Sequence, residues 1–500
     1  MSATTTIPEP AATQKVPPFA TRWVGAVALV SGLALFAVLG QYGFFGDELY
    51  FLAAGQHLSV SYADQGPLLP LIARAMDLIA PGSLVALRIP ALLVTVAGIV
   101  LAAALAREFG GGRGAQLLSA AAYATSPFLL AQGSQLATNT IDAPLWVLIT
   151  FLVVRWVRTR ADSLLLWAGV VTAIDMQVKW LIPFFWICLA IGVLCYGPRD
   201  LLRRPALWIG AAITAVSMVP SLMWQAGHGW PQLGMAATVG AEQESIGGTP
   251  LFVLIALSAA GLLGLVLLVY GIWCLFRAEA LRPYRFLGLT IMLLVLAFLV
   301  TGGRPYYAVG VYPVAMAAGA VMLVAARARW TRFAAAPVIG LSVLLGAWSL
   351  PWQPVSSIEP SAGGVDLLLH GKFGWPELAA STDLAFRSRT PAERTGAVIV
   401  TESYWQAGAL ENYRDRYGWP AVYSPSRGYG YFGTPPDTAS AVLYVGGQAD
   451  ELRKHFDAVT EVGRADSRLG YQGATRDVTI WWCERPVRPW SQLWPEIRHL

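Results

Sequence analysis

Charged residues are scarce in this chain. Asp, Glu, Lys and Arg make up 13% of its 500 residues, against 56% hydrophobic ones, where a soluble domain carries about 25% charged residues. A soluble fold of this length is excluded unless much of its apolar surface meets lipid. Cysteine is sparse too. Cys188, Cys195, Cys274 and Cys483 form no CxxC or CxxH spacing, so neither a zinc site nor a disulfide framework is indicated and they read as small core residues. GGGRG at 110–114 lacks the Lys-Ser/Thr of a Walker loop and is no phosphate loop. The net charge of +5 sits mostly in short Arg clusters between apolar runs, the loop charge of a membrane protein and not a nucleic-acid footprint.

What is present is a series of apolar runs. They stand at about 23–41, 85–106, 114–132, 140–154, 163–178, 181–196, 206–224, 251–276, 286–301, 307–325 and 333–350, each near the length that spans a bilayer. Twenty Trp and 49 Gly suit a bundle of such helices. Residues 1–20 read as a disordered cytoplasmic tail, and the first run, with no small-residue cleavage site behind it, reads as an anchor. Alternate loops then hold Arg107 and Arg113; Arg155, Arg158 and Arg160; Arg199, Arg203 and Arg204; Arg277, Arg282 and Arg285; Arg327, Arg329 and Arg332. The intervening loops hold little beyond Arg74, Arg88, Lys179 and Arg304. By the positive-inside rule the N-terminus is cytoplasmic and everything after about 351 lies outside.

The expected architecture is thus a polytopic α-helical membrane protein of about eleven transmembrane helices (21–350), with a long first outer loop at 42–84 and an extracytoplasmic α/β domain at 351–500. In the loop, Leu68, Leu71, Ile72, Ala75, Leu78 and Ile79 fall at helical spacing opposite Arg74 and Asp77, the pattern of a helix lying on a membrane surface. In the outer domain AVIVTES, SAVLYVGG and DVTIWWCE read as strands, and GALENYRDRY and ELRKHFDAV as helices. A Tyr/Gly/Pro-rich loop, YSPSRGYGYFGTPP, lies between them.

Candidate chemistry gathers on one side. Asp47–Glu48 directly follow the first span, where adjacent carboxylates are costly unless solvated, paired or functional; a helix cap is the competing role. Asp64 shares that loop and Asp142 begins the fourth span, each with a cap or turn as its alternative. Lys179 is a cation at the outer interface, with Asp175 four residues earlier as a structural ion-pair partner or as part of a phosphate site. Gly302-Gly303-Arg304-Pro305-Tyr306-Tyr307 is a tight outer turn whose Arg can grip a phosphate bidentately or snorkel beside interfacial Tyr. His228, with Glu242 and Glu244 some way on, is a weak metal candidate. A carboxylate base and cations for a departing phosphate are the two halves of a group-transfer site.

These residues make the chain resemble the GT-C superfamily of lipid-linked-sugar glycosyltransferases, in the branch of the protein O-mannosyltransferases and the aminoarabinose transferase of lipid A. The likeness runs through Asp47–Glu48, Tyr62-Ala63-Asp64-Gln65-Gly66-Pro67, Thr140-Ile141-Asp142-Ala143, Val178-Lys179-Trp180 and His228-Gly229-Trp230. It continues in Arg304-Pro305-Tyr306-Tyr307, Tyr312-Pro313 and the stretch from Thr401 to Leu410. Gln65, Gly66 and Val178 depart from the family pattern. The resemblance implies an inverting transfer from a polyprenyl-phosphate sugar to a lipid, cell-wall glycan or protein acceptor at the outer face of the plasma (inner) membrane. It gives Asp47 the role of base. Glu48, Asp64 and Asp142 would orient the acceptor or support that base, and Lys179, Arg304 and Tyr306 would hold the carrier phosphate. Some relatives use a divalent ion, for which no ligand set is assigned here. Two other readings stand beside it: a transporter or lipid flippase with charges along a path through the bilayer, and a non-catalytic subunit working through its outer domain.

Overall fold

A computed structural model of the chain describes residues 16–245, 248–326, 329–360 and 367–500. Most of the expected tail, residues 1–15, and Arg327 lie outside these. The membrane part begins with α1 (Thr21–Val38), the outer-loop helices α2 (Gly46–Gln56) and α3 (Leu68–Ile79), and α4 (Leu84–Glu108). It continues through α5 (Arg113–Ala124), α6 (Pro127–Gln132), α7 (Thr138–Thr159), α8 (Ser163–Met176), α9 (Ile182–Tyr196) and α10 (Pro205–Gly227). The last six are α11 (Pro231–Ser245), α12 (Gly248–Ser258), α13 (Gly261–Arg277), α14 (Arg285–Val300), α15 (Tyr312–Ala325) and α16 (Arg329–Trp348).

Among the described residues six helices are long and apolar enough to cross a membrane, seven if the pair Pro250–Ser258 and Gly261–Arg277 counts as one span. Ser163–Met176, Ile182–Tyr196 and Ala336–Trp348 are shorter apolar helices. The expected set of about eleven spans, several of them short, is therefore more broken than hydropathy suggested. The run at 114–132 stops at Thr125, because Pro127 has no N–H to continue the ladder and Ser126 instead caps α6, accepting from the Leu129 N–H at 3.3 Å. The run at 251–276 bends by 105° at residues 259–260.

Burial sorts the helices. α7 is central, with 78% of its most apolar window inside the protein, whereas α1 and α10 reach only 22% and present Leu33, Trp208 and Val216 outward, as lipid-facing helices do. α3 keeps Leu69 and Ala73 inside and exposes Leu71, Leu78 and Ile79, in keeping with a helix that lies in the membrane interface.

The outer domain contains α17 (Leu367–His370), α18 (Trp375–Arg387), α19 (Pro391–Arg394), β1 (Val398–Thr401), α20 (Tyr404–Tyr417) and β2 (Val422–Tyr423). It ends with β3 (Ala441–Val445), α21 (Ala449–Leu452), β4 (Phe456–Ala465), β5 (Val478–Pro486) and α22 (Trp490–Ile497). The sheet order is β2-β1-β3-β5-β4, parallel around β1 and antiparallel around β5. One sequence expectation fails here. ELRKHFDAV is a single helical turn followed by strand, because Phe456 and Val459 and the residues after them pair with β5, Val459 opposite Cys483. Tertiary pairing overrides the local helical pattern.

α20 and α2 belong to one apolar core. Phe45, Leu49, Tyr50, Leu69 and Ala73 pack with Trp375, Ile399, Leu410 and Trp482 of the outer domain. The Trp375 indole donates to the Phe44 carbonyl at 2.9 Å. Gly46 begins α2 against the flat ring of Trp405, a place where any Cβ would collide with the indole. The outer domain is thereby seated on the first outer loop.

Candidate active site

The site forms where three chain segments meet: the first outer loop, the outer ends of the membrane helices, and the outer domain. Ser403 caps α20, its hydroxyl accepting from the Trp405 N–H at 3.2 Å while Gln406 Oε1 accepts from the Ser403 N–H at 3.1 Å. That reciprocal cap places Tyr404 and Trp405 on the first turn, just past the carboxyl end of β1, and both point at Asp47. The Tyr404 hydroxyl lies 3.0 Å and the Trp405 indole nitrogen 2.7 Å from Asp47 Oδ1. Among the described residues no hydrogen bond reaches Oδ2, so one carboxylate oxygen is anchored and the other is available. Burial raises the Asp47 pKa; the hydrogen bonds from Trp405 and Tyr404 and the charge of Arg427 oppose it, and Glu48 adds to it.

Glu48, its neighbour, is fully engaged. It forms a two-point pair with Arg88 (Nε to Oε1 2.8 Å, Nη2 to Oε2 2.7 Å) and accepts from the backbone N–H groups of Phe45 at 2.8 Å and Leu136 at 2.9 Å. Arg88 also donates to the carbonyls of Leu39 and Gly43. Both side chains are essentially buried. The pair ties the start of α2 to α4 and to the loop before α7, which makes Glu48 a positioning residue beside Asp47.

Asp64 sits opposite, its Oδ1 accepting from the Tyr50 hydroxyl at 2.8 Å; burial raises its pKa and the Tyr50 bond and Arg427 oppose that. Asp142 is buried at the start of α7 with Oδ1 unpartnered among the described residues. Asp175 accepts from the Trp146 indole at 2.9 Å. The ion pair considered for Asp175 and Lys179 does not form as a contact: Lys179 Nζ donates to Asn139 Oδ1 at 2.9 Å and lies 3.9 Å from the ring centre of Tyr307 and 5.9 Å from that of Tyr306. Burial pulls the Lys179 pKa down to about 8, against the attraction of Asp142 and Asp175; Arg304 adds to the depression and Asp47 resists it. Lys179 therefore feels both Arg304 and Asp47. Tyr306 stacks on Phe128 at 5.1 Å and meets Tyr307 edge-on.

Arg304 pairs with Glu242 on α11, and Arg427 of the outer domain pairs with the same carboxylate. Burial works against the charge of Arg427, but Tyr404, Glu242, Asp64 and Asp47 outweigh it and hold its pKa above the ordinary value. Sequence reasoning assigned no role to Arg427, Tyr404 or Trp405. The available signals were one Arg inside a Tyr/Gly-rich loop and a Tyr-Trp pair just after a strand.

His228 stands apart. Its ring stacks on Trp224 at 4.0 Å and its Nδ1 lies 2.7 Å from the Trp224 carbonyl. Among the described residues no group of three or more His, Cys, Asp or Glu side chains is placed to hold a metal ion.

A helical membrane body with a carboxylate on its first long loop, cations at the ends of later helices and a sheet domain above them is the GT-C fold. Residues 64–224 match the family described as dolichyl-phosphate-mannose-protein mannosyltransferase. The structure is similar to that of ArnT from Cupriavidus metallidurans in the apo state, with a TM-score of 0.61 at 14% identity over 93% of this chain and 98% of that one. ArnT bound to undecaprenyl phosphate gives 0.59 at the same identity and coverage. The Archaeoglobus fulgidus oligosaccharyltransferase in complex with Zn and sulfate matches at 0.50 and 13% identity, over 84% of this chain and 67% of that one. A mutant arabinofuranosyltransferase AftD from Mycobacteria matches at 0.50 and 15% identity, over 93% of this chain and 42% of that one. No curated protein matches by sequence. At these identities the structural likeness establishes the fold.

Proposed function

We propose that this GT-C chain is an inverting glycosyltransferase of the plasma membrane, which moves a sugar from a polyprenyl-phosphate carrier to an acceptor hydroxyl on the outer face. The observation that carries the reading is the placement of Asp47: one oxygen held by Tyr404 and Trp405, the other available, and Lys179, itself under the influence of Arg304, within electrostatic reach. In the reaction Asp47 Oδ2 takes the proton of the acceptor hydroxyl as its oxygen attacks the anomeric carbon. The bond from that carbon to the phosphate oxygen breaks, and the electron pair leaves on the carrier phosphate. Lys179 and Arg304 hold that phosphate and stabilise its growing charge, while Tyr306 walls its site. Attack opposite the leaving group inverts the anomeric centre.

Asp64 and Asp142 orient the acceptor or support Asp47, and Glu48 acts through the backbone it fixes. A cytoplasmic N-terminus with the outer domain across the membrane follows from the Arg-rich alternate loops. Carrier binding by ArnT, as undecaprenyl phosphate, and the family match support a lipid-linked donor. The acceptor is a hydroxyl of a lipid, a glycan or a protein. The flippase reading has no comparable support, since the fold matched is that of transferases and the charges gather at one end of the bundle.

The test is release of sugar from a panel of radiolabelled polyprenyl-phosphate sugars by the purified protein in lipid, beside Asp47→Asn. Turnover of one donor, abolished in the variant, is the expected result. A wild-type protein inert toward every donor, in extracts that contain acceptors, would sink the assignment.

A further inference from the structure

The anion-holding half of the site is closed on itself. Arg304 directs Nη2 to Oε2 of Glu242, and Arg427 directs its Nη2 to Oε1 of the same carboxylate. The three residues come from separate parts of the chain: the turn before Tyr306, the loop after β2, and α11. Arg427 is held there at some cost. Its φ of 49° is left-handed, its backbone N–H is tied to the His499 carbonyl at 2.7 Å, and its guanidinium lies 5.2 Å from the Tyr404 ring centre. Two guanidiniums converging from different domains form an anion site, since each can present paired N–H groups to a carboxylate or a phosphate.

The carboxylate now in that site sits on α11, near the surface. Glu242 keeps 38% of its side chain exposed, so it reaches water from where it stands, and what its release gives up at Arg304 and Arg427 an incoming phosphate restores. The adjacent Gln243 is buried with both amide atoms unpartnered among the described residues, so the resting position of α11 leaves polar groups unsatisfied that another position can satisfy.

We propose that Glu242 is an internal stand-in for the donor phosphate, and that Arg427 is the second arginine of the clamp that receives this phosphate. The inference rests on the reading of Arg304 and Lys179 as the carrier-phosphate end of the site. When donor binds, its phosphate replaces the carboxylate between Arg304 and Arg427, Glu242 turns out with α11, and the outer domain grips the donor directly. The clamp thereby also excludes smaller, weaker anions until a lipid phosphate arrives.

The experiment is equilibrium binding of undecaprenyl phosphate to the full-length protein in nanodiscs, for wild type, Glu242→Gln, Arg427→Ala and the double variant. Removal of the competing carboxylate is expected to tighten binding about tenfold, and removal of Arg427 to weaken it about tenfold. The double variant is expected to regain only part of that tenfold over Arg427→Ala, because Glu242 then competes at Arg304 alone. Wild-type binding that is unchanged or weakened in Glu242→Gln would overturn the stand-in and make the contact a simple brace. Wild-type binding unaffected in Arg427→Ala would remove that residue from the clamp. Binding by no variant would instead bring down the carrier reading on which the proposal stands.

Discussion

The indole nitrogen of Trp405 lies 2.7 Å from Oδ1 of Asp47, across 358 positions of sequence. The hydrogen bond favours the charged carboxylate and so lowers its pKa, against burial, which raises it. Trp405→Phe keeps the ring but removes the donor. Asp47 then titrates higher, and the acid limb of a kcat/KM–pH profile moves to higher pH, with kcat near neutrality down by about tenfold. Asp47→Asn removes the base itself, and a loss of about a thousandfold is expected. An unshifted acid limb in Trp405→Phe would show that the limb does not report Asp47.

Lys179 limits the alkaline side. With a pKa pulled down to about 8, the ammonium proposed to hold the carrier phosphate is present below that pH and is lost as pH rises through it. Donor affinity, read as KM for the lipid-linked sugar, is expected to weaken above pH 8 in the wild type. Lys179→Arg stays charged throughout, and its KM is expected to show no such rise, though the larger head lowers kcat.

Glu48 and Arg88 form a buried pair whose members are 0% and 1% exposed. Breaking such a pair from one side leaves an unpaired buried charge, at about 3–5 kcal/mol. Glu48→Gln or Arg88→Leu should each lower the unfolding midpoint in detergent, with loss of activity following from misplacement of Asp47. The double change Glu48→Leu with Arg88→Leu should lower the midpoint less than the sum of its parts. Strict additivity would mean that the two side chains do not share their energy.

Gly428 packs where a Cβ would strike the Tyr50 hydroxyl and crowd Asp64. Gly428→Ala must push back either Tyr50 or the loop that carries Arg427. A fall in kcat/KM of about tenfold, with the unfolding midpoint changed by only a few degrees, is the expected outcome. A purely structural glycine would lower both together.

The membrane body was legible in the sequence because it depends on composition, a local property, and the side assigned to the chemistry rests on where Arg falls. Asp47, Lys179 and Arg304 stood out for the same reason, as charges next to apolar runs. What could not be read was pairing over distance. Nothing in the chain says that Glu48 finds Arg88, that Asp47 receives Trp405, or that Lys179 turns from Asp175 to Asn139. The bend at residues 259–260 and the stop at Ser126 were also hidden, since hydropathy averages over a break that one proline or one packing contact creates. ELRKHFDAV was misjudged because β4 is defined by its partner β5 and not by its own pattern.

The division of the site between two distant stretches of chain has a consequence for biogenesis. Residues 47–64 emerge early in synthesis, and Tyr404, Trp405 and Arg427 late. Until the late stretch has been delivered to the same side of the membrane and has folded onto α2, the carboxylate has no anchor and the clamp has one arm. If the proposed function holds, a half-made or wrongly inserted molecule is silent, and the appearance of transferase activity would mark completed translocation of the outer domain. The same logic gives a folding assay that needs no antibody: in a timed cell-free synthesis into vesicles, activity should lag behind membrane insertion by the time taken to make and deliver residues 404–427.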